Sequence, residues 1–522
     1  MHVMIMQHAK TERKESWHLR SITVSPDRGS QRQRLAACLT LAGIAIGLSA
    51  AALGSVVPTT AVIWASLALT TWCAGLIFAV AAALRSDSFG FARWKLGPWM
   101  LAWCAVTSGL ATTAWNPAQP GTAAEITITS VLRALWLIAV AMTAWTAGYC
   151  IGPRRLAEGG AVRGLKALAG RYSNEVRSPF APWVIYAVGT VARLLTVALT
   201  GRLGYVGDAA STVSSASGYQ QLLAMLSMMA PLALAVSAFR AWRQNARGAL
   251  RATIFLFLAE IAFSVISGDK QNFVVAIIAL ALPYSASRQK LPKIILAGAV
   301  IVFLLLIIPF TSVYRGTARG SDVTLTAGEA VSGSPALFRQ VIAADSPSVL
   351  PQSLAYLAQR VQEIDGPAIL MQRTPGQIPF SSPAELAEAP LANLIPRAIW
   401  HNKPILDTGY EFSQQYYGLP ADVYTSSAIT PAGDLYRHGG WIPVVAGMFL
   451  LGCAIRVLDD VLDVRKSCHA ALLTFLLFPE LVKAEVDWTT LLAGVPALML
   501  TWLMVVALCF TRRARPQTNL SS

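Results

Sequence analysis

Apolar runs of roughly 20 residues recur along this chain from Leu35 to Phe510, and that is the length a helix needs to cross a hydrocarbon core about 30 Å thick. So many runs of this length leave too little polar surface for a water-soluble fold, since a helix that is apolar all round must be buried in protein or in lipid. The composition agrees, with 55% of the 522 residues hydrophobic and 13% charged. The runs predict an all-α, polytopic membrane protein with twelve spans, near residues 35–57, 61–84, 97–115, 126–150, 181–200, 219–239, 250–267, 272–284, 293–310, 441–457, 469–482 and 488–510. The short runs at 272–284 and 469–482 are also open to a re-entrant or tilted reading, which leaves eleven or thirteen crossings as alternatives.

The formal net charge of +15 would fit a nucleic-acid partner if it formed one basic patch, but it is spread over alternate connections. Lys and Arg gather in the first 34 residues and at Arg85–Lys95, Arg154–Arg177, Arg240–Arg251, Arg288–Lys293, Arg456–Lys466 and Arg512–Arg515, while the intervening short loops hold Arg202, Lys270 and Lys483. The positive-inside rule accounts for this bias and predicts both termini in the cytoplasm, basic surfaces facing anionic lipid and no nucleic-acid partner. The expected organisation is a cytoplasmic arm at 1–34, a first membrane region of about nine spans at 35–310, a large extracytoplasmic cap at 311–440, a second membrane region of about three spans at 441–510, and a cytoplasmic tail at 511–522. The arm is polar and no small-residue cleavage site follows the first run, so Leu35–Val57 is read as a retained span. All seven cysteines fall in spans or at their inner ends, which predicts a cap without disulfides and no zinc or redox centre.

Ionisable side chains inside spans are costly and need partners, water or a function. Arg133, Arg193 and Glu260 each lie near the outer end of a span, Asp269 and Lys270 occupy a tight outer turn, and Glu480, Lys483, Glu485 and Asp487 follow the penultimate span. Any one of these is explained by a structural ion pair, such as Arg193 with Glu260. Their shared side predicts a polar cavity beneath the 311–440 segment.

That segment is too patterned for a linker. Leu354, Leu357, Val361, Ile364 and Ala368 predict an amphipathic helix over Pro351–Met371, and a second short helix is expected over Pro383–Ile395. Frequent Pro and Gly elsewhere predict a loop-rich cap on helices. Within it, Asn393–Gly440 mixes the cations Arg397, Lys403 and Arg437, the acids Glu411 and Asp434, the lone His438, and the aromatics Trp400, Tyr416, Tyr417 and Tyr436. Guanidinium groups clamp phosphates, and aromatic faces pack on sugar rings, so this mixture suits an anionic, hydroxyl-rich ligand. Each residue also has a plainer role open to it: Arg397 as a clamp on the loop backbone, the aromatics as cap core, Asp434 as a turn cap, and His438 as a structural histidine.

The run Pro396-Arg397-Ala-Ile-Trp400-His-Asn-Lys403-Pro404, followed by Gly409-Tyr-Glu411-Phe412 and Tyr416-Tyr417-Gly418, with Tyr314-Arg315 just after a span, resembles the large outer loop of the Wzy-type polymerases of O-antigen and related polysaccharides. Asp434 stands where glutamate is expected in that pattern, which keeps a carboxylate with a shorter reach. Over the remaining spans the likeness is one of architecture. The resemblance implies a GT-C-like fold in a bacterial inner membrane. It also implies a metal-independent, cofactor-free glycosyl transfer between glycans carried on undecaprenyl pyrophosphate, with a chain-length regulator and a flippase as possible partners. In that reading Asp434, Glu411 or His438 is the catalytic base. Arg315, Arg397, Lys403, Arg193, Lys270 and Arg437 bind substrate pyrophosphate, and Trp400, Tyr416, Tyr417 and Tyr436 pack on sugars. A flippase or secondary transporter, an O-antigen ligase, and a sensor or scaffold stay open. No internal repeat supports the transporter.

Overall fold

A computed structural model of the chain describes residues 26–53, 57–84, 89–117, 126–152, 170–201, 219–311, 361–388, 408–420, 426–483 and 486–512, with a few isolated positions besides. The fold is helical. In chain order the helices are α1 (Pro26–Leu53), α2 (Pro58–Leu84), α3 (Leu96–Cys104), α4 (Ile128–Ile151), α5 (Ala181–Thr200), α6 (Tyr219–Ser227), α7 (Met229–Trp242), α8 (Ala249–Ser267), α9 (Lys270–Arg288) and α10 (Lys293–Val302). The cap contributes α11 (Asp365–Arg373), α12 (Thr408–Tyr417) and α13 (Pro431–Arg437), and the chain ends with α14 (Trp441–Val461), α15 (Cys468–Val482) and α16 (Trp488–Cys509).

Among the described residues, nine helices are long and apolar enough to cross a membrane. They correspond to nine of the twelve predicted runs, and the other three are helical in different ways. The run at 97–115 begins as α3, loosens into a π-helical stretch at Ala105–Leu110 and ends in a 3-10 turn at Ala111–Ala114. That at 272–284 is longer than its apolar core, because Asp269 starts α9 early by accepting from the Gln271 amide at 3.0 Å. The third, α15, is short at 15 residues, yet every residue from Cys468 to Phe478 is buried. Its sequence is apolar all round because protein, rather than lipid, surrounds it. The outer helices show the opposite: Leu194, Leu199, Phe255, Leu258, Ile294, Ile301 and Leu450 are exposed, an apolar belt that fits a membrane-embedded protein.

The centre of the bundle rests on close approach of α4 and α14. A side chain at Gly148 would run into the Phe449 carbonyl, and one at Gly452 into the Trp145 carbonyl. The Cys453 thiol donates to the Gly148 carbonyl at 3.3 Å. Small residues at such a crossing let backbones touch, which is how helices associate when lipid removes the hydrophobic drive. None of the seven cysteines is in a disulfide.

The connections sort to two ends. At one end the Lys95 ammonium donates to the Leu462 carbonyl at 3.2 Å, and the Leu96 and Gly97 amides donate to the Asp459 carboxylate at 2.7 and 3.0 Å. Asn174 accepts from the Cys468 amide at 3.0 Å, and Arg465 donates to the Gln289 carbonyl at 3.3 Å. A small antiparallel ribbon, β1 (Tyr172–Val176) with β2 (Phe510–Arg512), pairs Tyr172 with Arg512 at this end. This ribbon is the exception to the all-α expectation. It forms because the chain leaving α16 runs past the loop before α5, where the Ser173 and Thr511 hydroxyls bond to each other. At the opposite end Trp115 donates to Asp365 at 2.9 Å, and the Thr127 amide and Ser130 hydroxyl donate to Gln372 at 2.9 and 3.1 Å. Among the described residues the basic connections thus meet one another, and the cap meets the segments at Trp115 and Thr127.

The cap departs from its expected helices. Of the helix expected over Pro351–Met371, residues 351–360 lie outside the described residues, 362–364 are not helical, and a helix begins at Asp365. Pro367 lies in its first turn, where a missing amide proton costs nothing. Ile364 and Ala368 are fully buried, and α11 packs against the start of α4, where Gln372 meets Thr127 and Ser130. Of Pro383–Ile395, residues 385–388 are helical, and 389–395 lie outside the described residues.

Candidate functional site beneath the cap

The candidate site is built on α13, a two-turn helix that joins the cap to the start of α14. It starts under strain. Thr430 is β-branched yet sits at φ 69°, a conformation that costs of order 1–3 kcal/mol and persists only where the surroundings over-determine it. Its hydroxyl repays part of this by accepting from the Gly433 amide at 3.2 Å. The helix stops at Gly439 (φ 152°) and Gly440 (φ 74°), a left-handed turn that lets the chain re-enter the bundle at Trp441.

Between these ends stand Asp434, Arg437 and His438. Asp434 and His438 are 0% exposed and the Arg437 side chain 5%. Arg437 Nε donates to Asp434 Oδ1 at 3.2 Å, and Nη2 lies 3.2 Å from the same oxygen. The Thr489 amide donates to Asp434 Oδ2 at 3.4 Å, tying α13 to the start of α16. His438 Nδ1 lies 2.7 Å from the Asp434 carbonyl oxygen and 3.5 Å from Oδ1. A carbonyl oxygen only accepts, so Nδ1 carries the proton. His438 Nε2 faces outward and meets Glu385 Oε2 at 3.3 Å, with Arg437 Nη2 at 4.0 Å from the same oxygen. Burial pushes the Asp434 carboxyl above its ordinary range; Arg437 and His438 oppose this, and the Asp487 carboxylate reinforces it.

Around this group the cap is tightly knit. The Ser381 amide donates to the Arg437 carbonyl at 2.9 Å, and Phe380 and Trp441 pack edge-on against Tyr436 with centroids at 6.2 and 6.0 Å. Burial raises the Tyr436 phenol, while the Arg133 guanidinium of α4 draws it down. Asp487 caps α16 by accepting from the Thr490 amide at 2.7 Å and from the Thr489 hydroxyl. Deeper in the cap, Asp365 accepts from Trp115, and from Gln362 at 3.3 Å. Burial raises its carboxyl above the usual range.

The predicted site residues fall into three groups. Asp434, His438, Arg437 and Tyr436 are brought together on α13. Tyr416 and Tyr417 lie in the cap core: Tyr416 stacks on Phe412 at 4.4 Å and hydrogen-bonds Thr374 at 2.7 Å, and burial raises the Tyr417 phenol, assisted by Asp365. Glu411 is on the exposed side of the same α12. Arg193 forms a two-pronged pair with Glu260 at 2.7 and 2.9 Å and lies over the Phe263 ring at 4.1 Å, so its charge is spent inside the bundle. Lys270 is the first residue of α9. Arg315, Arg397, Trp400 and Lys403 lie outside the described residues. Among the described residues no group of His, Cys, Asp and Glu is arranged to hold a metal ion.

Sequence reasoning passed over Glu385. A signal was present in Ser382-Pro-Ala-Glu385, the Ser-x-x-Glu pattern of a capping box. Ser382 Oγ accepts from the Ala384 amide at 3.3 Å, but the glutamate reaches across to His438 instead of back to its own helix start.

The chain belongs to the family described as a domain of unknown function, DUF8712, whose model matches residues 190–461, just over half of the 522. The matched region runs from α5 through α14 and includes Glu385 and all of α13. No curated protein and no solved structure shows significant similarity to the chain.

Proposed function

We propose that the chain is an inner-membrane polymerase of lipid-linked oligosaccharides. In this reading it crosses a bacterial cytoplasmic membrane twelve times with a GT-C-like architecture, keeps both termini in the cytoplasm, and presents its cap to the outer leaflet. There it transfers a glycan from undecaprenyl pyrophosphate to the non-reducing-end hydroxyl of a lipid-linked repeat unit. The observation that carries the reading is the Asp434–Arg437–His438 group, held at the seam of cap and helix ends on a strained helix start. Buried ionisable groups of this kind, fixed at a cost in backbone strain, cluster at functional sites.

The chemistry asks for cations at the departing pyrophosphate and a base at the acceptor hydroxyl. Arg437 is committed to Asp434 and Arg193 to Glu260. The pyrophosphate therefore falls to Arg315, Arg397 and Lys403, with Lys270 a further candidate. On the base side Asp434 and His438 support the group that meets the acceptor, and Tyr436 lies on the same helix. The lipid tails would reach the site laterally from the bilayer.

Deleting the gene and examining the cell's glycans tests this. Accumulation of single repeat units is the expected outcome. Loss of all outer-face repeat units would indicate a flippase, and intact polymer left on its lipid carrier a ligase.

A further inference from the structure

Asp434, Arg437 and His438 are closed to a bulky ligand, with exposures of 0%, 5% and 0%. Asp434 is further engaged by Arg437 through one oxygen and by the Thr489 amide through the other. A sugar hydroxyl cannot reach it without dismantling α13. Glu385 differs, since 51% of its side chain is exposed while Oε2 remains 3.3 Å from His438 Nε2.

We infer that Glu385 is the ligand-facing catalytic carboxylate of this site, with His438, Arg437 and Asp434 as the positioning residues behind it. The assignment rests on the polymerase reading. Three observations support it. Glu385 is placed rather than loose, because the segment carrying it is pinned to α13 by the Ser381 amide on the Arg437 carbonyl at 2.9 Å, and its own amide donates to the Ser382 carbonyl at 3.1 Å. Its inner oxygen faces two cation-forming groups, His438 Nε2 and, at 4.0 Å, Arg437 Nη2. Finally, because the Nδ1 proton is committed to the Asp434 carbonyl, Nε2 is the ring nitrogen left facing Glu385 Oε2, at 3.3 Å. Glu385 can therefore take a proton from the ligand side and share it with the ring.

In the transfer, the acceptor O–H bond breaks and its proton goes to a Glu385 oxygen, while the hydroxyl oxygen bonds to the anomeric carbon of the donor. The bond from that carbon to the pyrophosphate breaks, and its electron pair leaves on the lipid pyrophosphate. Water then takes the proton from Glu385 or, through it, from His438. The charged groups next to this pair are Arg437, 4.0 Å from Glu385 Oε2, and Asp434, 3.5 Å from His438 Nδ1; Asp487 acts on Asp434 and Arg133 on Tyr436 behind them.

The test uses membranes from the deletion strain carrying the full chain, supplied with lipid-linked repeat units. Glu385→Gln is expected to lower polymerisation at least about 100-fold, the usual contribution of a general base, with retention of the lipid-linked donor unchanged within about threefold. Glu385→Asp should recover part of the rate, and the acid limb of the wild-type pH–rate profile should be missing from the residual activity of Glu385→Gln. Activity of Glu385→Gln within about threefold of wild type overturns the assignment while leaving the polymerase reading intact. A wild-type chain that joins no repeat units removes both. Equal loss of donor retention and rate in Glu385→Gln would make the residue structural and would also overturn the assignment.

Discussion

Asp434 shows how much of this site's energetics sits in one carboxylate. Burial favours its protonated form and Arg437 favours its charged form; burial prevails, so the folded-state pKa lies above the unfolded one. The folded state then binds more protons than the unfolded state between those two values, and stability falls as pH rises through that window. Thermal unfolding of the purified wild-type chain in detergent should therefore show a component that strengthens as pH is lowered from neutral towards the ordinary carboxylate range. Asp434→Asn, which cannot titrate, should lack that component whatever its absolute stability. A variant with the same pH slope as wild type would show that Asp434 is not the titrating group. Asp434 and His438 were legible in the sequence because polar residues beside Gly439 and Gly440, just before a span, are conspicuous. Glu385 was not, since its partner is 53 positions away and only the folded path of the cap brings them together.

At the level of elements, apolar run length located the helices well but not their form. It located α15 without showing that protein would enclose it, and it located the 97–115 run without showing its π-helical middle. Both depend on neighbouring helices, which a hydropathy pattern does not encode. The α4–α14 contact is a sharper case. Gly148-Tyr-Cys-Ile-Gly152 has the spacing of a close helix crossing, but its partner, Gly452, is known only from the fold. Gly148→Ala places a methyl against the Phe449 backbone, which cannot swing aside as a side chain would. The expected cost is about 1–3 kcal/mol, read as a lowered Tm. Gly298→Ala on α10 is the control, because no atom lies within 4 Å of the added carbon and alanine favours the helix by up to about 1 kcal/mol. Equal effects of the two substitutions would refute the packing role of Gly148.

Over the whole molecule, the charge pattern and the fold agree on which loops keep company. The basic connections meet around Asn174, Asp459 and Arg465, and the cap meets Trp115, Thr127 and Thr489 at the other end. This grouping was readable because Lys and Arg are distributed loop by loop. The cap's internal fold was less readable, because two of its helices carry a proline in the first turn, Pro367 and Pro431, and its core is built from aromatics that also suit a sugar site. Tyr416 is one such residue, a platform by type and a core residue by position. The proposed polymerase would join lipid-linked repeat units without further protein. It is tested most directly by placing the purified chain in liposomes with undecaprenyl-pyrophosphate-linked single repeat units and resolving the products by mass. The account predicts a ladder rising in steps of one repeat unit, absent from empty liposomes. Repeat units that remain single, with the protein folded and inserted, would contradict it.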